Sequence, residues 1–392
     1  MKAVLIFILA ILCAPSFAQF KEGFNKEEAR DMIALCNSFA FLDLCGSDAE
    51  ILPPGYKKKY TSGVFGMDNK YQIYQNGNIA VINFRGSTDK KNSWLENIYS
   101  AMIPAKGIIK VSGEDFDYCF AKDPGAAVHA GYALGIAFLH KDILYQINNL
   151  NREGVYTFII TGHSQGGAIA NMLRAYLENL SHNEISKKNK FKTYAFAAPM
   201  VGNKKFAEEY NTRHSANNSS FNIVNPQDPI PAFPLSYNDT NYLSDNLKAF
   251  LFDRESFSFK NMISDGAVKL FEGSFIGAVK KLGFRASEQI SKDLGPLAMP
   301  DYVEDINYYK LKNRIEITAF VYPKALKDST ILKNDSLMKI YKRGADGVFL
   351  NNDLYEKEPW TYQHKPYNYY TSILKMYFPN EYKSLKRKYI SD

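Results

Sequence analysis

One serine of the chain lies in a setting typical of a catalytic nucleophile. Gly162, His163, Ser164, Gln165 and Gly166 fit the pattern G-x-S-x-G, between a β-branched, aromatic run and a segment of helical periodicity. In this pattern the serine occupies a tight strand-to-helix turn that exposes its hydroxyl, and the two glycines leave room for the turn. We therefore expect Ser164 to be a nucleophile and Gly162 and Gly166 to be its elbow glycines.

A serine nucleophile needs a base, and the chain has 6 histidines. Hydrolases with this elbow carry their catalytic residues in the order serine, acid, histidine. After Ser164, His182 and His214 lie in polar stretches typical of surface loops, and no aspartate lies between Ser164 and His214. His364 is therefore the predicted base, and an ordinary surface histidine among aromatic residues is the alternative.

The acid of such a site orients the imidazole and stabilises its charged form. Asp228 directly follows a predicted strand, Phe221 to Asn225, and prolines flank it. Prolines stiffen a loop, and active sites gather at the carboxyl ends of parallel strands. Asp228 is the predicted acid, with Asp305 and Asp353 as the other candidates, and a proline-rich turn capped by aspartate is the alternative.

The elements that would position these residues alternate between strands and helices, which favours a mostly parallel sheet covered on both sides. The dipeptide Asn76-Gly77 between two apolar runs predicts a hairpin. The predicted strands are Tyr71–Gln75, Asn78–Phe84, Val155–Thr161, Phe191–Ala197, Phe221–Asn225 and Ile315–Tyr322. The predicted helices are Lys26–Leu44, Val128–Leu150 and Ala168–Leu180.

Several motifs in matching order resemble the class 3 (fungal-type) lipases of the α/β-hydrolase superfamily. The resemblance covers about Gly77 to Pro234 and resumes near His364. It implies the α/β-hydrolase fold, a mostly parallel central sheet flanked by helices. The motifs, besides the elbow, are Val81–Thr88, Trp94–Asn97, Val128–Tyr132, Phe196–Asn203 and Val224–Pro231.

The resemblance also implies roles for residues that the spacing alone leaves unassigned. Ser87 follows Phe84-Arg85-Gly86 and would supply one backbone N–H to an oxyanion hole. Gln165, next after the nucleophile, would supply the other, and His129 would be a structural residue.

The segment between the acid and the base is longer than is usual in this family. We interpret about Leu235 to Leu350 as a cap-like insertion into a single α/β-hydrolase domain of residues 19–392. It contains an apolar stripe at helical spacing from Val268 to Leu282. This stripe could be a mobile lid that meets lipid or a helix that packs on the body, and the sequence leaves both open.

The first residues predict export. Lys2 precedes an apolar run from Ala3 to Cys13, and the small residues that follow suit cleavage after Ala18. We expect a signal peptide of residues 1–18, a secreted or periplasmic protein, and no transmembrane segment, because no later apolar stretch is long enough. Of the cysteines that remain, Cys36, Cys45 and Cys119, one pair could form a disulfide, and the pairing stays open.

The formal net charge of +7 is far from a nucleic-acid-binding composition. No Cys/His spacing is typical of a metal site, and no cofactor is expected. We expect a secreted serine carboxylic-ester hydrolase, a lipase acting on acylglycerols through an acyl-enzyme, with lipid or other esters as partners and transient contact with a lipid interface. A phospholipase or acyltransferase on the same triad, or an inactive lipid-binding protein, are the alternatives.

Overall fold

The computed structural model describes residues 21–44, 52–234, 275–345, 347–359 and 361–386, without the side chains at 40–44, 275–282, 335 and 337. The helices are α1 (Lys26–Leu44), α2 (Lys91–Ile98), α3 (Ala130–Arg152), α4 (Gln165–Leu177), α5 (Lys204–Tyr210), α6 (Phe275–Leu294), α7 (Asp335–Ile340), α8 (Pro366–Tyr377) and α9 (Pro379–Ser384). The strands are β1 (Lys57–Thr61), β2 (Tyr71–Asn76), β3 (Ile79–Phe84), β4 (Met102–Pro104), β5 (Lys106–Val111), β6 (Glu114–Cys119), β7 (Ala127–His129), β8 (Thr157–His163), β9 (Lys190–Phe196), β10 (Ser220–Val224), β11 (Leu297–Ala298) and β12 (Arg314–Glu316).

A 7-stranded sheet forms the centre of this structure, in the order β1-β2-β3-β8-β9-β10-β12. The strands β1, β2 and β3 pair antiparallel, and each neighbouring pair from β3 to β12 is parallel. The predicted hairpin is confirmed, because β2 and β3 are joined through Gly77, whose φ of 61° suits a residue without a side chain. Since parallel strands end at one edge, the loops after β3, β8 and β10 lie together.

Helices cover both faces of the sheet. Phe158 and Ile160 of β8 point into a core shared with α3 and α4, whereas Ile159 points into a second core with α1 and α8. Successive side chains of a strand point to opposite faces, and burial on both faces explains the unbroken apolar runs of these strands. The predicted architecture, a mostly parallel sheet between helices, is confirmed.

Most predicted elements are present, with shifted ends. The helix expected over Val128–Leu150 begins only at Ala130, because the residues before it pair with β4 as strand β7. The prediction of a strand over Ile315–Tyr322 was wrong for most of this range, since β12 covers only Arg314–Glu316. Strand β12 pairs with β10, and β10 ends at Val224, shortly before Pro226. Because proline has no backbone N–H, it cannot extend the pairing of the two strands.

The segment interpreted as a cap is partly built into the body. Strand β11 pairs with β5, and β12 adds an edge strand to the central sheet. In α6, Ala286 and Ile290 are buried in the main core, and the hydroxyl of Tyr302 lies 2.5 Å from that of Tyr99. The described end of the insertion therefore packs on the body, whereas the side chains of the stripe Val268–Leu282 lie outside the description.

The expected signal peptide and Cys45 also lie outside the described residues. Cys36 and Cys119 are free thiols, and burial raises the pKa of Cys36 to about 12. Within the described ranges, no helix combines the length and apolar character needed to cross a bilayer. Over the same ranges, no three His, Cys, Asp or Glu side chains are grouped to hold a metal ion.

Candidate active site

Ser164 occupies the turn between the last residue of β8, His163, and the first residue of α4, Gln165. Its backbone has φ 59° and ψ −127°, a conformation that costs a residue with a side chain roughly 1–3 kcal/mol. Ser164 N–H donates to Phe196 O at 2.9 Å, and Gly167 N–H donates to Ser164 O at 2.9 Å. These bonds hold the strained turn, which leaves the serine half-buried rather than enclosed.

The elbow glycines permit a close approach of backbones. A Cβ on Gly162 would lie 2.3 Å from the carbonyl carbon of Gly166, and a Cβ on Gly166 would lie 2.5 Å from Phe84 O. Strand β8, helix α4 and strand β3 therefore meet at distances that only glycine allows. The requirement is steric, as the sequence pattern indicated.

The structure brings Ser164, His364 and Asp228 into one hydrogen-bonded chain. His364 Nε2 lies 2.8 Å from Ser164 Oγ, and His364 Nδ1 lies 2.8 Å from Asp228 Oδ2. If Nδ1–H donates to the carboxylate, Nε2 is left to accept the serine proton, as a general base must. The side chain of His364 is 14% exposed and that of Asp228 is 0% exposed, so the imidazole is partly accessible while the carboxylate is shielded from solvent.

Asp228 lies in the loop that follows β10, and two further donors bind its carboxylate. Ile230 N–H donates to Oδ1 at 2.9 Å, and the Tyr369 hydroxyl donates to Oδ2 at 2.7 Å. Asn225 N–H in turn donates to the Tyr369 hydroxyl at 3.0 Å. Together with His364, these donors compensate a charge that would be costly to bury alone.

The loop that carries His364 is tied to the acid loop. Asn225 Nδ2 donates to Gln363 Oε1 at 2.8 Å, and Gln363 Nε2 donates to Phe320 O at 2.7 Å. Two residues after His364, Pro366 opens helix α8, where its fixed φ suits the first turn. These contacts position an imidazole that lies far from Ser164 in the sequence.

A second histidine packs against the first. The ring of His163 lies 4.7 Å from the ring of His364 and 5.4 Å from the ring of Tyr369. Burial lowers the pKa of His163 well below its usual range, and the neighbouring His364 lowers it further. His163 is therefore neutral and adds no positive charge beside the imidazole of His364.

The two expected oxyanion donors lie on either side of the elbow. Ser87 is in the loop after β3, and a Cβ on the preceding Gly86 would lie 3.7 Å from Ser164 Cβ, so this loop touches the nucleophile. Gln165 is the first residue of α4, and the first N–H groups of a helix have no helical partner and attract negative charge.

Asn97 of α2 holds the Ser87 loop. Its Nδ2 donates to Ser87 Oγ at 2.9 Å, and its Oδ1 accepts from the Tyr132 hydroxyl at 3.1 Å. His129 Nε2 lies 3.2 Å from Asn97 O, while His129 Nδ1 accepts from Tyr132 N–H, so Nε2 carries the hydrogen. Burial lowers the pKa of His129 to about 3, and the neutral ring acts as a structural support behind Asn97.

The other candidates from the sequence lie elsewhere. His182 is exposed, and Asp353 is exposed as well. Asp305 accepts from Asn203 Nδ2 at 3.0 Å. The expectation of a surface position for His214 was wrong: it is 3% exposed, and its ring packs 4.7 Å from that of Tyr210.

Sequence reasoning missed the hydrogen bond from Tyr369 to Asp228, and it assigned no role to Asn97. The signal for Tyr369 was present in helical spacing, because Tyr369 and Ile373 lie four residues apart and are 0% and 1% exposed. That spacing identifies a buried face, but it does not reveal what a hydroxyl on this face binds.

Comparison with known proteins bears on this geometry. Residues 81–238 match the family described as lipase (class 3). Over these residues the chain is similar to the class 3 lipases. The matched segment contains Ser87, Ser164 and Asp228, and it ends before His364. This match, together with the mostly parallel sheet between helices, agrees with the predicted α/β-hydrolase fold.

Individual lipases are similar to this chain over part of their length. The chain is 27% identical over 111 residues to secreted mono- and diacylglycerol lipase 1 of Fusarium solani, which is 28% of this chain and 30% of that protein. Among solved structures, a lipase from Rhizopus microsporus var. chinensis matches with 20% identity and a TM-score of 0.40, over 56% of this chain and 75% of that one. Lipase II from Rhizopus niveus matches with 18% identity and a TM-score of 0.39, over 54% and 77%.

Proposed function

We propose that this protein is a serine hydrolase that cleaves carboxylic esters, with acylglycerols as its substrates. The observation that carries the proposal is the chain of hydrogen bonds from Ser164 Oγ through His364 to Asp228, at 2.8 Å for each link. The class 3 lipase match supports ester hydrolysis. The relative from Fusarium solani, a mono- and diacylglycerol lipase by name, supports acylglycerols as the substrate class.

The reaction follows from the proton path. Ser164 Oγ attacks the ester carbonyl carbon while His364 Nε2 takes the hydroxyl proton, and the oxyanion is held by the backbone N–H groups of Ser87 and Gln165. His364 returns the proton to the alcohol oxygen as the ester C–O bond breaks, which leaves an acyl-enzyme. In the second half, His364 Nε2 takes a proton from water as its oxygen attacks the acyl carbon, and it returns this proton to Ser164 Oγ as the bond between Oγ and the acyl group breaks and the carboxylic acid product leaves. Asp228 keeps Nδ1 protonated and stabilises the imidazolium in both halves.

Turnover of defined esters tests the proposal. Purified protein is assayed on nitrophenyl esters of graded chain length and on emulsions of diacylglycerol, triacylglycerol and phospholipid. We expect hydrolysis of the nitrophenyl esters and acylglycerols, and we expect Ser164→Ala to lower turnover about a million-fold.

Three results would contradict the substrate class or the activity. Preferred release of fatty acid from phospholipid would make the protein a phospholipase, and acyl transfer to an added alcohol in preference to water would make it an acyltransferase. Lipid binding without any turnover would make it an inactive lipid-binding protein.

We also propose that the protein is secreted or periplasmic. The charged start, the apolar run Ala3–Cys13 and the small residues up to Ala18 support a cleaved signal peptide. The name of the Fusarium solani relative, a secreted lipase, supports the same view. Amino-terminal sequencing of exported protein should give Gln19 as the first residue, and an uncleaved start would contradict this.

A further inference from the structure

One buried carboxylate holds both ends of the loop that carries the expected oxyanion donor. Asp68 lies in the turn before β2, and its Oδ2 accepts from Arg85 Nη2 at 3.1 Å and from Thr88 Oγ1 at 2.6 Å. The carbonyl oxygen of Asp68 accepts a further bond from Arg85 Nη2 at 2.8 Å. Arg85 precedes Gly86 and Ser87 in the sequence, and Thr88 follows them. Asp68 therefore joins the residues on either side of the donor.

The contact between Asp68 and Arg85 is a buried ion pair. The two side chains are 4% and 8% exposed, and separating them would leave a buried charge without its partner. A second cation, Lys90, donates to Asp68 Oδ1 at 3.0 Å, but its side chain is 64% exposed. Because exposed ion pairs contribute little, Arg85 and Thr88 are the partners through which Asp68 acts on the loop.

The backbone of Asp68 suits this position. Its φ of 64° lies in the left-handed region, which Asp and Asn adopt more readily than other residues with a side chain. Two hydrogen bonds across the turn hold this conformation, from Phe65 N–H to Asn69 O and from Asn69 N–H to Phe65 O, both at 2.8 Å. The carboxylate thus meets the loop from a fixed position.

The loop held by Asp68 lies against the nucleophile elbow. A Cβ on Gly86 would lie 2.9 Å from His163 O, so the backbones of the loop and the elbow are in close contact. A displaced loop would therefore move the N–H of Ser87 relative to the hydroxyl of Ser164. Catalysis is sensitive to such a shift, since a misplacement of about 1 Å costs about 100-fold in rate.

We propose that Asp68 is a positioning residue for the oxyanion hole, which fixes, through Arg85 and Thr88, the loop whose Ser87 N–H binds the oxyanion. This inference rests on the proposed ester hydrolysis and adds a residue that acts on it without touching the substrate. A contact that only stabilised the fold would change the amount of folded protein but not the turnover of each active site.

A double-mutant cycle tests whether Asp68 acts through Thr88. The variant Asp68→Asn suits the left-handed backbone, but its amide has one acceptor oxygen where the carboxylate uses two. Complete loss of an oxyanion donor costs about 100- to 1000-fold in kcat, so a displaced donor should cost less, about tenfold. We expect Asp68→Asn and Thr88→Val each to lower kcat about tenfold with little change in KM. The double variant should also lose about tenfold, because both changes release the same loop.

A trifluoromethyl ketone gives a second readout. Ser164 Oγ adds to its carbonyl carbon as the hydroxyl proton passes to His364, which creates a tetrahedral oxyanion, so the Ki reports binding in the oxyanion hole. We expect Ki to rise about tenfold in Asp68→Asn and in Thr88→Val, in parallel with the loss of kcat. Thr88→Ser keeps the hydroxyl and should restore kcat and Ki. Turnover is expressed per active site, titrated with a fluorophosphonate.

The matched control is Glu28→Gln, which changes another buried carboxylate bound by a cation and a hydroxyl. Glu28 Oε2 accepts from Lys192 Nζ at 2.6 Å and from the Tyr194 hydroxyl at 2.7 Å. Lys192 lies four residues before Phe196, the end of β9 that binds the elbow, which is about 13 Å along the strand. This variant should destabilise the fold but keep kcat and Ki near those of the wild type.

Three results would overturn the inference: an unchanged kcat in Asp68→Asn, a loss of about 100-fold in the double variant, or an equal loss of kcat in Glu28→Gln. If Asp68→Asn does not fold, Thr88→Val decides, because it keeps the ion pair; unchanged kcat and Ki in this variant would overturn the inference as well. Failure of the proposed function would be distinguished by the wild type, which would then lack ester hydrolysis that depends on Ser164. Wild-type turnover combined with any of these results would refute the role of Asp68 alone.

Discussion

The tightest contact of the nucleophile elbow is at Gly162, and replacing this glycine with alanine gives a quantitative prediction. The added Cβ would lie 2.3 Å from both the carbonyl carbon and oxygen of Gly166, and 2.9 Å from Gly167 N, whereas ordinary contact begins at 3.4 Å. Since these atoms belong to the backbone, no side-chain rotation relieves the clash. Helix α4 and strand β8 must separate by about 1 Å, and such overpacking costs about 1–3 kcal/mol.

A displacement of about 1 Å near the reacting groups costs about 100-fold in rate. We therefore expect Gly162→Ala to lower kcat for a nitrophenyl ester about 100-fold and the free energy of unfolding in urea by about 1–3 kcal/mol. The matched control is Gly63→Ala, because a Cβ at Gly63 meets nothing within 4 Å. Wild-type kcat in Gly162→Ala, or equal impairment in Gly63→Ala, would refute the reasoning.

Tyr369→Phe removes the 2.7 Å hydrogen bond to Asp228, and the free energy of unfolding in urea should fall by about 1.5–3 kcal/mol; an unchanged value would contradict this. Ser87→Pro removes the backbone N–H and should lower kcat about 100- to 1000-fold, while Ser87→Ala keeps the N–H and should stay within about tenfold of the wild type. Equal losses in both would exclude the N–H as the donor. Burial lowers the pKa of His214 to about 2, so the unfolded chain binds a proton below about pH 6.5 that the native chain does not, and stability is lost as the pH falls. His214→Asn should reduce the wild-type loss of stability between pH 7 and pH 5 by about 2 kcal/mol, measured in urea, and equal acid sensitivity would contradict the burial argument.

The elements that the sequence predicted best are those with local constraints. The hairpin at Gly77 and the turn at Ser164 depend on the conformations of a few adjacent residues, so a short motif identifies them. Strand β8 is buried on both faces, and its continuous apolar run identified it to within two residues. The order of serine, acid and base along the chain selected Ser164, Asp228 and His364, the residues that the structure brings within hydrogen-bond distance.

The remaining features depend on contacts between distant segments. The hydroxyl of Tyr369 binds Asp228, which is 141 residues away in the sequence, and nothing near Tyr369 indicates this partner. Glutamate is usually a surface residue, but Glu96 is buried. Its position depends on Gly131 and Gly135 of α3, because a side chain at either glycine would clash with it. His214 lies in a polar stretch that nonetheless packs inside. Local polarity predicts exposure only where no other element covers the segment.

The central claim is that His364 activates the hydroxyl of Ser164, and covalent labelling tests it most directly. Purified protein is treated with a fluorophosphonate, digested and analysed by mass spectrometry, beside the variants Ser164→Ala and His364→Ala. We expect one labelled peptide, modified at Ser164, no label in Ser164→Ala, and labelling slowed by orders of magnitude in His364→Ala. Label on another residue, or wild-type labelling of Ser164 in the His364 variant, would contradict the account.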